Sequence, residues 1–224
     1  WDLRHDAPNA FVHSFEINAN PGLTPTSPEG ALVTPGSYSL RLTVEGRTMT
    51  RPVTVRNDPR SHATTLALSL QHSLQSRIAT LMDASWSDEQ EVSAIRESLT
   101  RIASSDAADD LKSASSALRL SLDSIAGAEA SGPGRGGAGG AGGPTFRSIN
   151  NSLAGQLNAQ DNGDMAPTAG MNAAAAASCL GLSRLESKLR RISTSGLAAV
   201  NAVLTRHGTT TIPSSRMSSP ARCA

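Results

Sequence analysis

Residues 32–60, LVTPGSYSLRLTVEGRTMTRPVTVRNDPR, contain the sharpest change of pattern in the chain. Before Asn57 the apolar side chains recur at every second residue, and after Pro59 they recur at every third or fourth. A strand sends alternate residues to one face, whereas a helix gathers residues three and four apart. The chain is therefore constrained to a β-hairpin that hands over to helices. Tyr38, Leu40, Leu42 and Val44 share one face of the first strand, with Ser39, Arg41 and Thr43 on the other. Glu45-Gly46 fits a two-residue turn. The return strand offers Met49, Val53 and Val55 to the inner face, and Pro52, without an N–H, calls for an edge position or a bulge.

Upstream, Phe11, His13, Phe15 and Ile17 alternate as in an extended strand, and the Pro/Gly-punctuated residues 20–30 read as a loop. Together these strands make part of a β-sandwich, too little to stand alone. Beyond Pro59, Leu66, Leu70, Leu74, Ile78 and Leu81 form a helical stripe. Ser87 with Gln90 has the spacing of a capping box and predicts a second helix carrying Val92, Ile95, Leu99 and Ile102. A third, starting near Asp106, carries Leu111, Ala114, Leu118, Leu122 and Ile125 and stops at Gly127.

A Gly-rich run of linker composition follows. Phe146, Ile149, Leu153 and Leu157 then mark a short helix. Residues 161–166 form a loop, and Pro167-Thr168 open a long helix with Met171, Ala175, Ser178, Leu182, Leu185, Leu189 and Ile192 along its seam. Ser195-Gly196 is expected to break it before a last short helix with Leu197, Val200 and Leu204 that ends at Gly208. From Thr209 the Ser, Thr and Pro content predicts disorder. Narrow stripes of this kind suit an antiparallel bundle.

Composition excludes several function classes. The net charge of the 224 residues is +1 with both signs interspersed, so there is no basic stripe for nucleic acid. Arg184, Lys188, Arg190 and Arg191 cluster where a helix end is predicted and where cations offset the dipole. No stretch is apolar enough to span a bilayer, and no signal peptide is evident. A start at Trp1 without Met suggests a piece of a longer polypeptide. Cys179 reads as a small buried apolar residue and Cys223 as part of the tail, with no spacing that predicts a bridge between them.

No constellation of reactive side chains emerges. Gly134, Gly136 and Gly139 fit G-x-G-x-x-G, but no strand precedes them, and that motif requires one. Asp161-Asn162-Gly163-Asp164 lacks the distal Glu of a calcium loop. Asp106, Asp109 and Asp110 suit the first turn of a helix. The histidines (His5, His13, His62, His72 and His207) stand in no zinc motif, and no serine lies in G-x-S-x-G. The reading assigns no catalytic residue, no cofactor-binding residue, no metal ligand and no cofactor.

Trp1-Asp2-Leu3-Arg4, Pro35-Gly36, Tyr38, Leu40 to Val44, Gly46, Pro52 and Asp58-Pro59-Arg60 together carry a resemblance. So, more loosely, do Pro144-Thr145, the helix from Leu153 to Leu157, Ala166-Pro167-Thr168 and LAAVNAVL before Gly208. The chain resembles the C-terminal region of bacterial sortilin-like (VPS10-like) proteins, also described as BNR-repeat glycosyl-hydrolase-like β-propellers. In them an immunoglobulin-like module with a PGxYxVRLTVDG hairpin follows the propeller. His5-Asp6-Ala7-Pro8 departs from the Pro-rich loop usual after the WDLR strand.

The resemblance implies an α+β chain by segments, an N-terminal partial immunoglobulin-like β-sandwich followed by an antiparallel helical bundle. Its segments are an immunoglobulin-like module (1–60), a three-helix segment (61–127), a Gly-rich linker (128–143), C-terminal helices (144–208) and a disordered tail (209–224). It implies a non-catalytic accessory region of a secreted protein, extracellular or periplasmic, whose partner is an upstream β-propeller of the same polypeptide and whose catalytic site, if any, lies there. A carbohydrate- or protein-binding module, with another protein or a glycan as partner, is the alternative. Part of a glycoside hydrolase whose site lies upstream is a further one. The first reading predicts an apolar patch near Trp1, Leu3 and Phe11.

Overall fold

The computed structural model describes residues 1–15, 25–126, 143–213 and 223. Four strands come first: β1 (Ser14–Phe15), β2 (Thr26–Ser27), β3 (Gly36–Val44) and β4 (Arg47–Val55). The helices are α1 (Thr65–Ala103), α2 (Asp109–Ala126), α3 (Phe146–Gln160), α4 (Ala169–Arg191) and α5 (Ala198–Arg206), with a π-helical turn at Ile192–Leu197 between the last two. The chain is thus mixed, with helices dominating a small amount of antiparallel sheet.

The hairpin forms in the register its alternation dictates. Val44 faces Arg47, Leu42 faces Met49 and Tyr38 faces Val53 without a bulge. Glu45 (φ 48°) and Gly46 (φ 79°) both take left-handed conformations, the pairing of a type I′ turn, whose twist matches the strands. An immunoglobulin-like sandwich is not what these residues build. β1 pairs only with β2, and β3 only with β4, as two separate two-stranded ladders. No second sheet among the described residues covers the hairpin, so Leu40, Leu42, Val44 and Met49, expected to face inward, are exposed, Met49 at 60%. The strand expected from Phe11 to Ile17 shrinks to the two residues of β1; His13 is exposed, and Ile17 lies outside the described residues. The loop over 20–30 is described only from residue 25.

α1 corrects the expected break at Ser87. It runs unbroken for 39 residues, about 58 Å at the usual rise, and Ser87 and Gln90 sit exposed in its middle. Neither Gly nor Pro interrupts the segment, and the polar window is used for packing: Ser85, Asp88 and Glu89 are buried. The first two leucines of the stripe, Leu66 and Leu70, are exposed, while Leu74, Ile78 and Leu81 are buried. The short 104–108 link folds α2 back on α1, tied by Arg96 Nε to Asp123 at 2.9 Å. Residues 127–142, including the Gly127 stop and most of the linker, lie outside the described residues.

α3 opens with a capping box in which Thr145 Oγ1 accepts from Ser148 N and Ser148 Oγ from Thr145 N. Phe146, Leu153, Leu157, Leu182, Leu189 and Leu204 are among the fully buried side chains that α3, α4 and α5 add to the one core shared with α1 and α2. The expected break at Ser195-Gly196 is a π turn instead. The seam passes from Leu182 to Leu189 in seven residues, then to Leu197 in eight, and a π turn absorbs that one-residue excess. Gly196 lets α2 approach closely there: a Cβ would sit 2.9 Å from Leu118 Cδ1, so that side chain would have to shift.

The tail also differs from expectation. Ile212 is buried, with its N–H donating to Asn201 Oδ1 and its C=O accepting from Asn201 Nδ2, both at 2.8 Å. Cys223 is bridged to Cys179. Cys179 is buried as expected, but as half of a disulfide. The return of the chain at Ile212 brings the distant cysteine back to α4, which spacing alone does not reveal. Residues 214–222 and 224 lie outside the described residues.

Candidate functional site

The N-terminal segment straps the hairpin to the helices. His5 N donates to Ala31 O and Val33 N to Leu3 O, each at 2.9 Å, so residues 3–5 run antiparallel to residues 31–33. Gly30 permits this crossing: a Cβ there would collide with the His5 carbonyl oxygen and lie 2.6 Å from its carbon. The Trp1 indole tilts against Tyr38 at 5.7 Å between centroids. Farther on, Asn9 N and Nδ2 donate to Asp83 Oδ1 at 2.8 and 2.9 Å, and the Arg147 guanidinium lies 4.3 Å over the Phe11 ring. Asn150 completes the strap from inside. Its Nδ2 donates to Asn9 O, Met82 O and Ser85 Oγ, and its Oδ1 accepts from Phe11 N.

Where strap, hairpin root, α1 and the α3–α4 loop converge there is a cleft of about 260 Å³. Leu3, Leu32, Pro35 and Leu68 supply apolar wall, and Gln71, Gln75, His72, Gln160 and Asp161 supply polar wall. The polar groups are turned toward one another. Gln71 Nε2 donates to Gln160 O at 2.6 Å and Gly163 O at 2.8 Å. Gln75 Nε2 donates to Asp161 Oδ1, whose carboxylate also pairs with Arg4 at 3.2 Å. Arg4 further binds Gly30 O at 2.7 Å and Glu29 at 3.3 Å. His72 Nδ1 lies 2.8 Å from Leu32 O. A carbonyl only accepts, so Nδ1 carries the proton and Nε2 is left as acceptor for Ser76 Oγ at 3.4 Å. Most of the cleft's polar groups thus form a joint between the hairpin root, α1 and the α3–α4 loop, whereas Gln160 Oε1 is buried there without a hydrogen-bond partner among the described residues.

The residues singled out in the sequence scatter. Asp161 and Asp164 do line this cleft, Asp161 as part of the joint. His5 lies tilted against His72, with 5.1 Å between ring centroids. Asp109 and Asp110 stand in the first turn of α2 as expected, but Asp110 also receives His207 Nε2 at 3.0 Å and Arg206 at 3.6 Å. The hydrogen bond from His207 and its charge hold the Asp110 carboxyl below its ordinary range. Asp58 is likewise held low by the Arg60 side chain and N–H, which closes the Asp-Pro-Arg turn. Lys188, Arg190 and Arg191 stand in the last turn of α4 as expected, although the backbone continues from there into the π turn. Gly134, Gly136 and Gly139 lie outside the described residues. Among the described residues no three His, Cys, Asp or Glu side chains converge as metal ligands, and no helix is long and apolar enough to cross a membrane.

Sequence reasoning missed the strap and its Asn150 anchor, since a lone Asn on a predicted helix reads as a surface residue. The other surface of note is the hairpin itself, whose exposed apolar face is interrupted by Arg47 and Arg51. No family model matches the chain, and neither a curated protein nor a solved structure matches it.

Proposed function

We propose that this chain is a non-catalytic accessory module of a larger secreted polypeptide, acting by contact with an upstream β-propeller of the sortilin-like type. The observation that carries the reading is the exposed apolar surface along the strap and hairpin root. Trp1 is 60% exposed, Leu3 41% and Leu32 42%, whereas Phe11, expected in the same patch, is half-buried beneath the Arg147 guanidinium. Exposed apolar side chains grouped in this way support a docking role. The use of Gln71, Gln75, Arg4 and His72 to tie the hairpin root, α1 and the α3–α4 loop together supports a structural role for the cleft. The WDLR and hairpin motifs supply the identity of the neighbour, and the extracellular or periplasmic location follows from the same resemblance. The test is to read the polypeptide upstream of Trp1 and to add that region in trans to the purified chain. Asp-box repeats, and binding lost in Trp1→Ser and Leu32→Ser, are expected. Absence of such repeats overturns the assignment, as does hydrolysis of aryl glycosides by the chain alone.

A further inference from the structure

The two edges of the hairpin are chemically unequal. In an antiparallel ladder, pairs that exchange both N–H···O bonds alternate with pairs that exchange none. Pro52 has no N–H and faces Ser39, so that pair belongs to the non-bonded set. By alternation so do Ser37–Thr54, Arg41–Thr50 and Thr43–Thr48. The backbone groups of these residues point away from the partner strand. On β4 the outward row is interrupted at Pro52, the device that blunts an edge against further pairing. On β3 the outward row of Ser37, Ser39, Arg41 and Thr43 is complete. Each of these residues is exposed, and among the described residues no backbone bond reaches that edge.

We propose that the outer edge of β3 accepts an extended strand from a partner protein, one that alternates apolar with acidic residues. Backbone pairing along an open edge supplies affinity, and side chains on the two faces select the sequence. On one face the incoming residues lie beside Leu40 and Leu42, the latter 57% exposed. On the other they lie beside Arg41. Arg41 is the cation on the face that would meet the acidic residues, and no carboxylate among the described residues pairs with it. Arg47 and Arg51, opposite Val44 and Leu40, lie on the apolar face and one strand farther away. A second copy of the chain would bring like charge to like, which disfavours self-pairing. The inference depends only on the hairpin and stands whatever precedes Trp1.

The probe is a fluorescein-labelled peptide alternating valine with glutamate, read by anisotropy. Lysine-for-glutamate and alternately N-methylated versions serve as controls, the latter in both methylation phases. Saturable binding is expected for the glutamate peptide and for its version methylated on the outward phase. It is expected to be lost in the lysine peptide and in the version methylated on the phase facing β3, which lacks the pairing donors. Ser39→Pro deletes an outward N–H without removing a ladder bond, and is expected to weaken binding by about tenfold or more. Arg41→Glu is expected to reverse the preference toward the lysine peptide. If Ser39→Pro does not fold, the N-methylated peptides interrogate the same edge on the parent protein. No saturable binding overturns the proposal, as does binding indifferent to both the N-methylated peptides and Ser39→Pro. Concentration-dependent dimerisation abolished by Ser39→Pro overturns it too, in favour of a second copy on the edge.

Discussion

Replacing Asn150 with Asp tests whether the strap is anchored as described. Asn150 is 0% exposed, and the substitution keeps its shape while exchanging a donor for an oxygen. The Phe11 N–H keeps its acceptor. Met82 O keeps Ser85 Oγ as a donor at 2.8 Å, so the groups deprived are chiefly Asn9 O and Ser85 Oγ. Losing a partner of a buried polar group costs about 1–3 kcal/mol. Asn9 is exposed to water and Ser85 Oγ still donates to Met82 O, so the total loss is about 1–3 kcal/mol. That is a substantial share of the roughly 5–15 kcal/mol by which domains are stable. With a urea slope of about 2–3 kcal/mol/M, the unfolding midpoint should fall by about 0.3–1.5 M. The new carboxyl, buried against oxygens, has a folded pKa raised above its unfolded value of about 3.9. A raised carboxyl makes stability fall as pH rises through that interval, so the variant should recover toward acid, where the protonated group can donate again. Asn172→Asp is the control. Asn172 is exposed in the first turn of α4, bonded only to Thr168 O, where a carboxylate is tolerated or mildly favourable. A midpoint for Asn150→Asp within about 0.3 M of the parent at equal slope, with no recovery in acid, would refute the anchor.

Three further perturbations separate the other ties. The Cys179–Cys223 bridge closes a loop with a sequence separation of 44, and chain entropy assigns it about 4 kcal/mol. Reductant should lower the urea midpoint of the parent and leave Cys223→Ser, already lowered, unchanged; insensitivity of the parent removes the bridge. Gly30→Ala drives a methyl group into the His5 and Asp6 backbone and should cost about 3 kcal/mol or more, since main chain cannot step aside as a side chain can. An unchanged melting temperature would mean that the strap does not cross Gly30 this closely. The hydrogen bond from His207 holds the Asp110 carboxyl below its ordinary range. A depressed carboxylate contributes stability above its unfolded pKa and loses it as pH falls through the folded one, so the loss lies on the acid side of an ordinary aspartate titration. The carboxyl carbon of Asp110 should titrate below the ordinary aspartate range by NMR and move upward in His207→Ala; equal midpoints in parent and variant count against the pair.

How much was legible depended on whether the signal was local. The hairpin register follows from period-two alternation about Glu45-Gly46, and the buried faces of α2 and α3 follow from Leu111, Leu118, Leu122 and Ile125 and from Phe146, Ile149, Leu153 and Leu157. These are properties of a few turns of chain. The continuity of α1 was hidden because its middle is polar by composition, although Ser85, Asp88 and Glu89 are buried there. The disulfide and the Asn150 anchor join residues far apart in sequence, and neither has a spacing rule. Alternation marks the apolar face of β3 and β4 but is silent on what covers it. The sandwich expectation failed at that step.

That failure bears on how the hairpin works. A two-stranded ribbon standing alone is marginal in water, so an uncovered one must be held at its root. The ties found there all act at the base. Trp1 lies on Tyr38, whose hydroxyl donates to Thr34 O at 2.5 Å; Arg60 closes onto Asp58 at 2.6 Å; and Arg4 and His72 fix residues 30–32. Among the described residues, the distal half from Leu40 to Arg51 is held by its own ladder and the Thr43–Thr48 hydroxyl pair. Rigid mounting with a free end preorganises the β3 edge while leaving it accessible, which lowers the ordering cost of strand addition. The same arrangement explains why the strap is bound at both ends. Cutting its hold at Gly30 or Asn150 would loosen the hairpin as well as the helices, and amide exchange should then rise in β3 and β4 ahead of α3. Uniform acceleration across hairpin and helices would mean that the strap serves the core alone.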